Sequence, residues 1–163
     1  MRRPILAWAL TPDEKRDPAR VWARSDVAFF SAGACHVLAF AFLAASPGAG
    51  FTARVLVPCG GRRGTHVYVT DGQMAFDAQG FVSERALLRQ HVRAYRALDP
   101  GWRADLHEGG ADLAACCLRF GLQRPEAFLH DPFPRARAYL AHPPLPLAPA
   151  PTPRPAGLLQ SRP

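Results

Sequence analysis

A cysteine, a histidine and an aspartate stand where they could run acyl-transfer chemistry: Cys35, His66 and Asp77. Cys35 follows the small residues Ser31-Ala32-Gly33-Ala34 and opens an apolar run from Val37 to Leu43. The pattern predicts a buried helix over 35–45, apolar nearly all round and ended by Pro47-Gly48. A helix N-terminus and a nearby imidazolium both stabilise a thiolate. The Cys35 N–H at such a helix start is a natural oxyanion donor. His66 and Asp77 flank the turn signal Asp71-Gly72. Read as a two-residue hairpin loop, that signal puts His66 directly opposite Asp77. Val67, Val69, Met74 and Phe76 then share one apolar face, and His66, Tyr68, Ala75 and Asp77 share the other. A carboxylate beside an imidazole fixes its tautomer and holds its positive charge. Nucleophile, general base and orienter are the roles this arrangement predicts.

Five further residues are candidates for substrate or oxyanion binding. Ser31, Gly33 and Ala34 are small, which lets a substrate backbone approach Cys35. His36 follows the nucleophile and is read as facing the core. Tyr68 shares the face of His66. Cys59 lies near Gly60-Gly61, but its spacing from Cys35, His36 and His66 fits no common zinc pattern. No metal and no cofactor are expected. Gly60 to Gly64 lacks the phosphate-loop spacing and reads as a mobile loop whose arginines could line the cleft. Cys116, Cys117, Trp22 and Trp102 read as packing residues.

The elements that must position these groups follow from punctuation and periodicity. Asp17 caps a short helix begun by Pro18. Residues 26–33 read as an approach segment ending in a turn. Strands are expected over 51–57, 65–70 and 73–77, with Gly80 closing the unit. Ser83 caps a helix over 84–95. A loop then runs through Gly109-Gly110, followed by short helices near 112–120, 125–129 and 135–140. The fold class is α+β, a central Cys-bearing helix on a small antiparallel sheet with flanking helices, in one domain over residues 1–142. Eight of the 17 prolines fall in residues 143–163, which read as an extended, disordered tail.

Charge and apolar content narrow the partners. The net charge is +7, and Lys15 is the single lysine among the 20 basic residues. The arginines are dispersed, with no run longer than two, which argues against a nucleic-acid partner unless the fold gathers them. No apolar stretch reaches the ~20 residues of a membrane span. Ile5 to Leu10 is too short for a secretory signal. Four cysteines with no CxxC pair read as reduced thiols in a cytoplasmic protein.

Three stretches carry a family resemblance. Gly33-Ala34-Cys35-His36-Val37-Leu38-Ala39, His66-Val67-Tyr68-Val69 and Phe76-Asp77-Ala78-Gln79-Gly80 stand in the order helix-Cys, strand-His, strand-Asp. This resembles the papain-like cysteine hydrolases, which include NlpC-type peptidases, transglutaminase-like enzymes and papain-like effectors and deamidases. It covers roughly residues 25–80. The resemblance implies a peptidase, amidase, deamidase or acyltransferase acting on a protein, peptide or other amide. Cys35 would be the nucleophile, His66 the base and Asp77 the orienter. Papain itself has a Gln upstream of its nucleophile that completes the oxyanion hole. The first Gln here is Gln73, so Ser31, Ser25 or a backbone N–H would serve instead. That departure leaves a binding or adaptor protein on the same fold as the rival expectation.

Overall fold

The computed structural model describes residues 5–142; the tail expected over 143–163 lies outside the described residues. Four short segments precede the central helix. These are a 3₁₀ turn at Ile5–Trp8, α1 (Pro12–Lys15), α2 (Pro18–Trp22) and α3 (Asp26–Ser31). Asp17 caps α2 through the Ala19 and Arg20 amides, as its sequence signals. The segment expected only to approach Cys35 is helical instead. Phe29 and Phe30 of α3 are fully buried, and that packing holds six residues in a helix too short to stand alone.

Helix α4 (Cys35–Ala45) follows as expected and is buried over its first seven residues. It has no polar face because it is covered all round: by the sheet, by α3, by α6 (Leu113–Phe120) and by α7 (Pro132–Ala141). The sheet is antiparallel, with β1 (Thr52–Pro58), β2 (His66–Thr70), β3 (Met74–Asp77), β4 (Gly80–Ser83) and β5 (Ala104–Gly110) in the order β4-β3-β2-β1-β5. Val55, Val67, Val69 and Phe76 face α4 and form the main core. Tyr68 and Ala75 face the other way and pack with Leu87 of α5 (Glu84–Arg96). The result is an α+β fold with the Cys-bearing helix on one sheet face and α5 on the other.

Two strands depart from the expectation. Gly80 does not close the unit but starts β4, which pairs with β3 from Asp77↔Gly80 to Met74↔Ser83. Residues 104–110 form edge strand β5 on β1 rather than a loop. Its Asp105, Glu108 and two glycines disguise it, and only one neighbour supplies its hydrogen bonds.

The hairpin register also needs correction. Val69 pairs with Phe76 and Thr70 with Ala75, so the two-residue loop is Gly72-Gln73 rather than Asp71-Gly72. The shift comes from side-chain hydrogen bonds. Asp71 Oδ1 accepts from the Gln73 and Met74 amides, and Thr70 Oγ1 accepts from Gly72 N and donates to Met74 O. Asp77 is therefore diagonal to His66 instead of directly opposite. A slip of this size preserves strand parity, so the two side chains keep a common face.

Candidate active site

Cys35 is the first residue of α4 and His66 the first of β2. Asp77 is the last residue of β3. All three are buried. His66 Nε2 lies 3.2 Å from Asp77 Oδ2, and both side chains are almost wholly covered. The other carboxylate oxygen, Oδ1, accepts from the Gln79 amide at 2.8 Å. Asp77 is thus clamped on both oxygens. The Ala78-Gln79 turn that clamps it is held in place by the Tyr139 hydroxyl of α7, which donates to Ala78 O. With Nε2 engaged, Nδ1 is the ring nitrogen left for the thiol.

The thiol lies close enough to His66 and to the neighbouring His36 for both imidazoles to act on its ionisation. Burial alone would raise the Cys35 pKa, but the two imidazoles outweigh it and bring it down to about 5. Burial would likewise lower the His66 pKa, but Asp77 and Cys35 raise it to about 9. Both shifts favour the thiolate–imidazolium form of the pair over the neutral one. The contrast with the other thiols is instructive. Burial drives the Cys116 thiol up to about 11, with Cys117 adding to it, and burial also raises Cys117. All four cysteines are free, and Cys116 and Cys117 pack as expected.

A cavity of about 460 Å³ opens beside His66. Ser31, Ala32 and Gly33, the loop leading into Cys35, form part of its lining. Gly33 has φ +110°, a conformation open to glycine but strained for other residues, and it sets the bend between α3 and α4. The Ser31 hydroxyl is buried and has no hydrogen-bond partner.

The remaining candidates fall elsewhere. Ala34 is fully buried as the N-cap of α4 and packs in the core. His36 Nε2 donates to Gln123 O at 2.7 Å, which seats that ring in the core with its other contact on Cys35. Tyr68 is fully buried and donates to Glu84 at 2.8 Å. Its ring centroid lies 6.1 Å from that of His66, so it backs the imidazole rather than lining the cavity. Trp22 packs on Phe29, away from the cleft.

His91 was missed. Its ring stacks on His66 with centroids 5.3 Å apart, and Nε2 donates to Gly64 O at 2.7 Å. Burial and the charge on His66 push its pKa down to about 3, so it is a neutral wall. Tyr95 and Trp102 continue the stack, and Trp102 Nε1 donates to Arg63 O at 2.8 Å. The signal was available: Leu87, His91 and Tyr95 recur every four residues on the sheet-facing side of α5.

Gly64 anchors that wall to the loop before β2. Its φ is +115°, and a Cβ there would sit 2.9 Å from the Tyr95 ring. Gly64→Ala is expected to lower stability by about 1–3 kcal/mol, read by thermal or urea unfolding.

Among the described residues, no cluster of three or more His, Cys, Asp or Glu could hold a metal, and no helix could span a membrane. The densest arginine row, Arg85, Arg89 and Arg93, runs along the exposed side of α5 and does not line the cavity. The chain matches no protein-family model, and no curated protein or solved structure is significantly similar to it.

Proposed function

We propose that this chain is a papain-like cysteine hydrolase or acyltransferase that attacks an amide, ester or thioester carbonyl. The observation that carries the reading is the buried His66–Asp77 contact at 3.2 Å, with Cys35 close enough to His66 for the imidazole to lower its pKa. The Cys35 thiolate adds to the carbonyl carbon, and the π electron pair moves onto oxygen. The Cys35 N–H, a first-turn amide that α4 itself does not use, and the Ser31 hydroxyl, which has no partner, donate to that oxyanion. His66 passes its proton to the leaving nitrogen, oxygen or sulfur as that bond breaks, leaving a thioester on Cys35. His66, now neutral, takes a proton from water or another acceptor, which attacks the thioester and releases the thiolate.

The test is intact-mass measurement after reaction with p-nitrophenyl acetate. One acetyl group should appear on Cys35 of the wild type. Ser31→Ala is expected to slow acetylation about 10- to 100-fold relative to alkylation by iodoacetamide, since only acetylation forms an oxyanion. The rival reading, a binding protein on the same scaffold, draws on the low exposure of Cys35, 9%. Absence of both an acetyl adduct and Cys35-dependent release of p-nitrophenolate would favour it.

A further inference from the structure

The cavity beside His66 has a composition of its own. Much of the lining is apolar: Leu6 and Leu10 from the N-terminal segment, with Tyr95, Leu98 and Trp102. Leu98 is 70% exposed, a large aliphatic side chain left open at this cavity. The charged lining is unbalanced. Asp99 is its one acid, and Arg62 Nε already holds Asp99 Oδ2 at 2.6 Å. The second Asp99 oxygen accepts from Gly101 N. Lys15 and Arg63 also line the cavity, and among the described residues no acid pairs with either. The Arg63 backbone is fixed by the Trp102 indole, and its charge acts on Tyr95, as does that of Cys35. The cations, the apolar residues and His66 therefore line one cavity, and Ser31, Ala32 and Gly33 of the same lining lead directly into Cys35.

We propose that this cavity binds a substrate bearing an apolar side chain and a carboxylate a few atoms from the scissile carbonyl, as in an N-acylated apolar amino acid or the C-terminal end of a peptide. Leu6, Leu10, Leu98 and the rings of Tyr95 and Trp102 take the side chain. Lys15 and Arg63 take the carboxylate. The volume suits a group of small-molecule size, not a folded loop. This inference rests on the reading of Cys35 as an activated nucleophile.

The experiment separates the two. N-chloroacetyl-leucine, its neutral amide N-chloroacetyl-leucinamide, and N-chloroacetyl-glycine all alkylate a thiolate in the same way. Sulfur attacks the chloromethyl carbon, the C–Cl bond breaks, chloride leaves and a thioether remains. Rates at Cys35 are measured by peptide mapping and divided by the rates with free N-acetylcysteine. The acid should outpace the amide about 5- to 10-fold, and the leucine probe should outpace the glycine probe by a similar factor. In the Lys15→Ala/Arg63→Ala double variant the acid-to-amide ratio should fall toward one, and in the wild type it should shrink as salt is raised. An acid-to-amide ratio of one in the wild type, or a ratio unchanged in the double variant, overturns the inference while leaving the nucleophile intact. Failure of iodoacetamide and all three probes to modify Cys35 overturns the catalytic reading and the inference with it.

Discussion

At pH 6, iodoacetamide should alkylate Cys35 about 10²–10³-fold faster than Cys116, and Cys35→Ser should abolish the fast adduct. The magnitude follows from two opposed effects. The Cys35 pKa is about 5 and the Cys116 pKa about 11, so at pH 6 the first is mostly thiolate and the second almost wholly thiol. A low-pKa thiolate is intrinsically the weaker nucleophile, which removes roughly half of that advantage on a logarithmic scale. Half-exposed Cys59 is best replaced by Ser so that it does not compete. The pH profile carries the sign. Alkylation should rise as pH climbs through about 5, because the thiolate is the reactive form, and then level off. Turnover of an ester or amide should fall again as pH rises through about 9, where the His66 imidazolium loses the proton that the leaving group needs. Alkylation that instead rises through pH 8–9, like an ordinary thiol, would remove the ion pair from the account.

Asp77→Asn should cut acylation at pH 6–7 by about 10³–10⁴-fold with the fold intact. The Gln79 amide holds Oδ1, so the side-chain oxygen of the substituted residue would stay there. Its NH₂ would then point at His66 Nε2 where a carboxylate oxygen now sits. Two donors cannot share that contact, so the imidazole must carry its proton on Nδ1 and offer no lone pair to the thiol. The negative charge that holds the imidazolium is lost as well. The Cys35 pKa should therefore rise, and the deficit should narrow above pH 9, where hydroxide ionises the thiol unaided. Circular dichroism and a melting curve check the fold. A variant that stays folded and keeps full activity at pH 6 would remove Asp77 from the mechanism.

The sequence carried these three residues because each is tied to a strong local rule. A run of small residues before an apolar helix placed Cys35. Strand parity placed His66 with Asp77, and survived a loop misplaced by one residue because a register change of two leaves the faces alone. What stayed hidden depends on neighbours distant in sequence. Asp26 to Ser31 is helical because Phe29 and Phe30 meet Phe128 and Tyr139. Strand β5 exists through β1, fifty residues earlier by position. The cavity is roofed from the N-terminal segment and walled from α5, and no local pattern announces that meeting. His91 was hidden differently: a polar residue on an inward helical position looks like an exception until its partners, Gly64 and His66, are known.

The Tyr139 hydroxyl on Ala78 has a consequence for cooperativity. The turn after Asp77 is braced from α7, near the end of the described residues, while the cavity beside His66 is lined by Leu6 and Leu10 near their beginning. Chemistry at Cys35 therefore samples the integrity of both ends at once. If either end frays before the sheet melts, fast alkylation should disappear below the temperature at which ellipticity is lost. Cys35 then serves as an internal reporter of sub-global opening, and the gap between the two transitions measures how tightly the first and last described elements are coupled to the core.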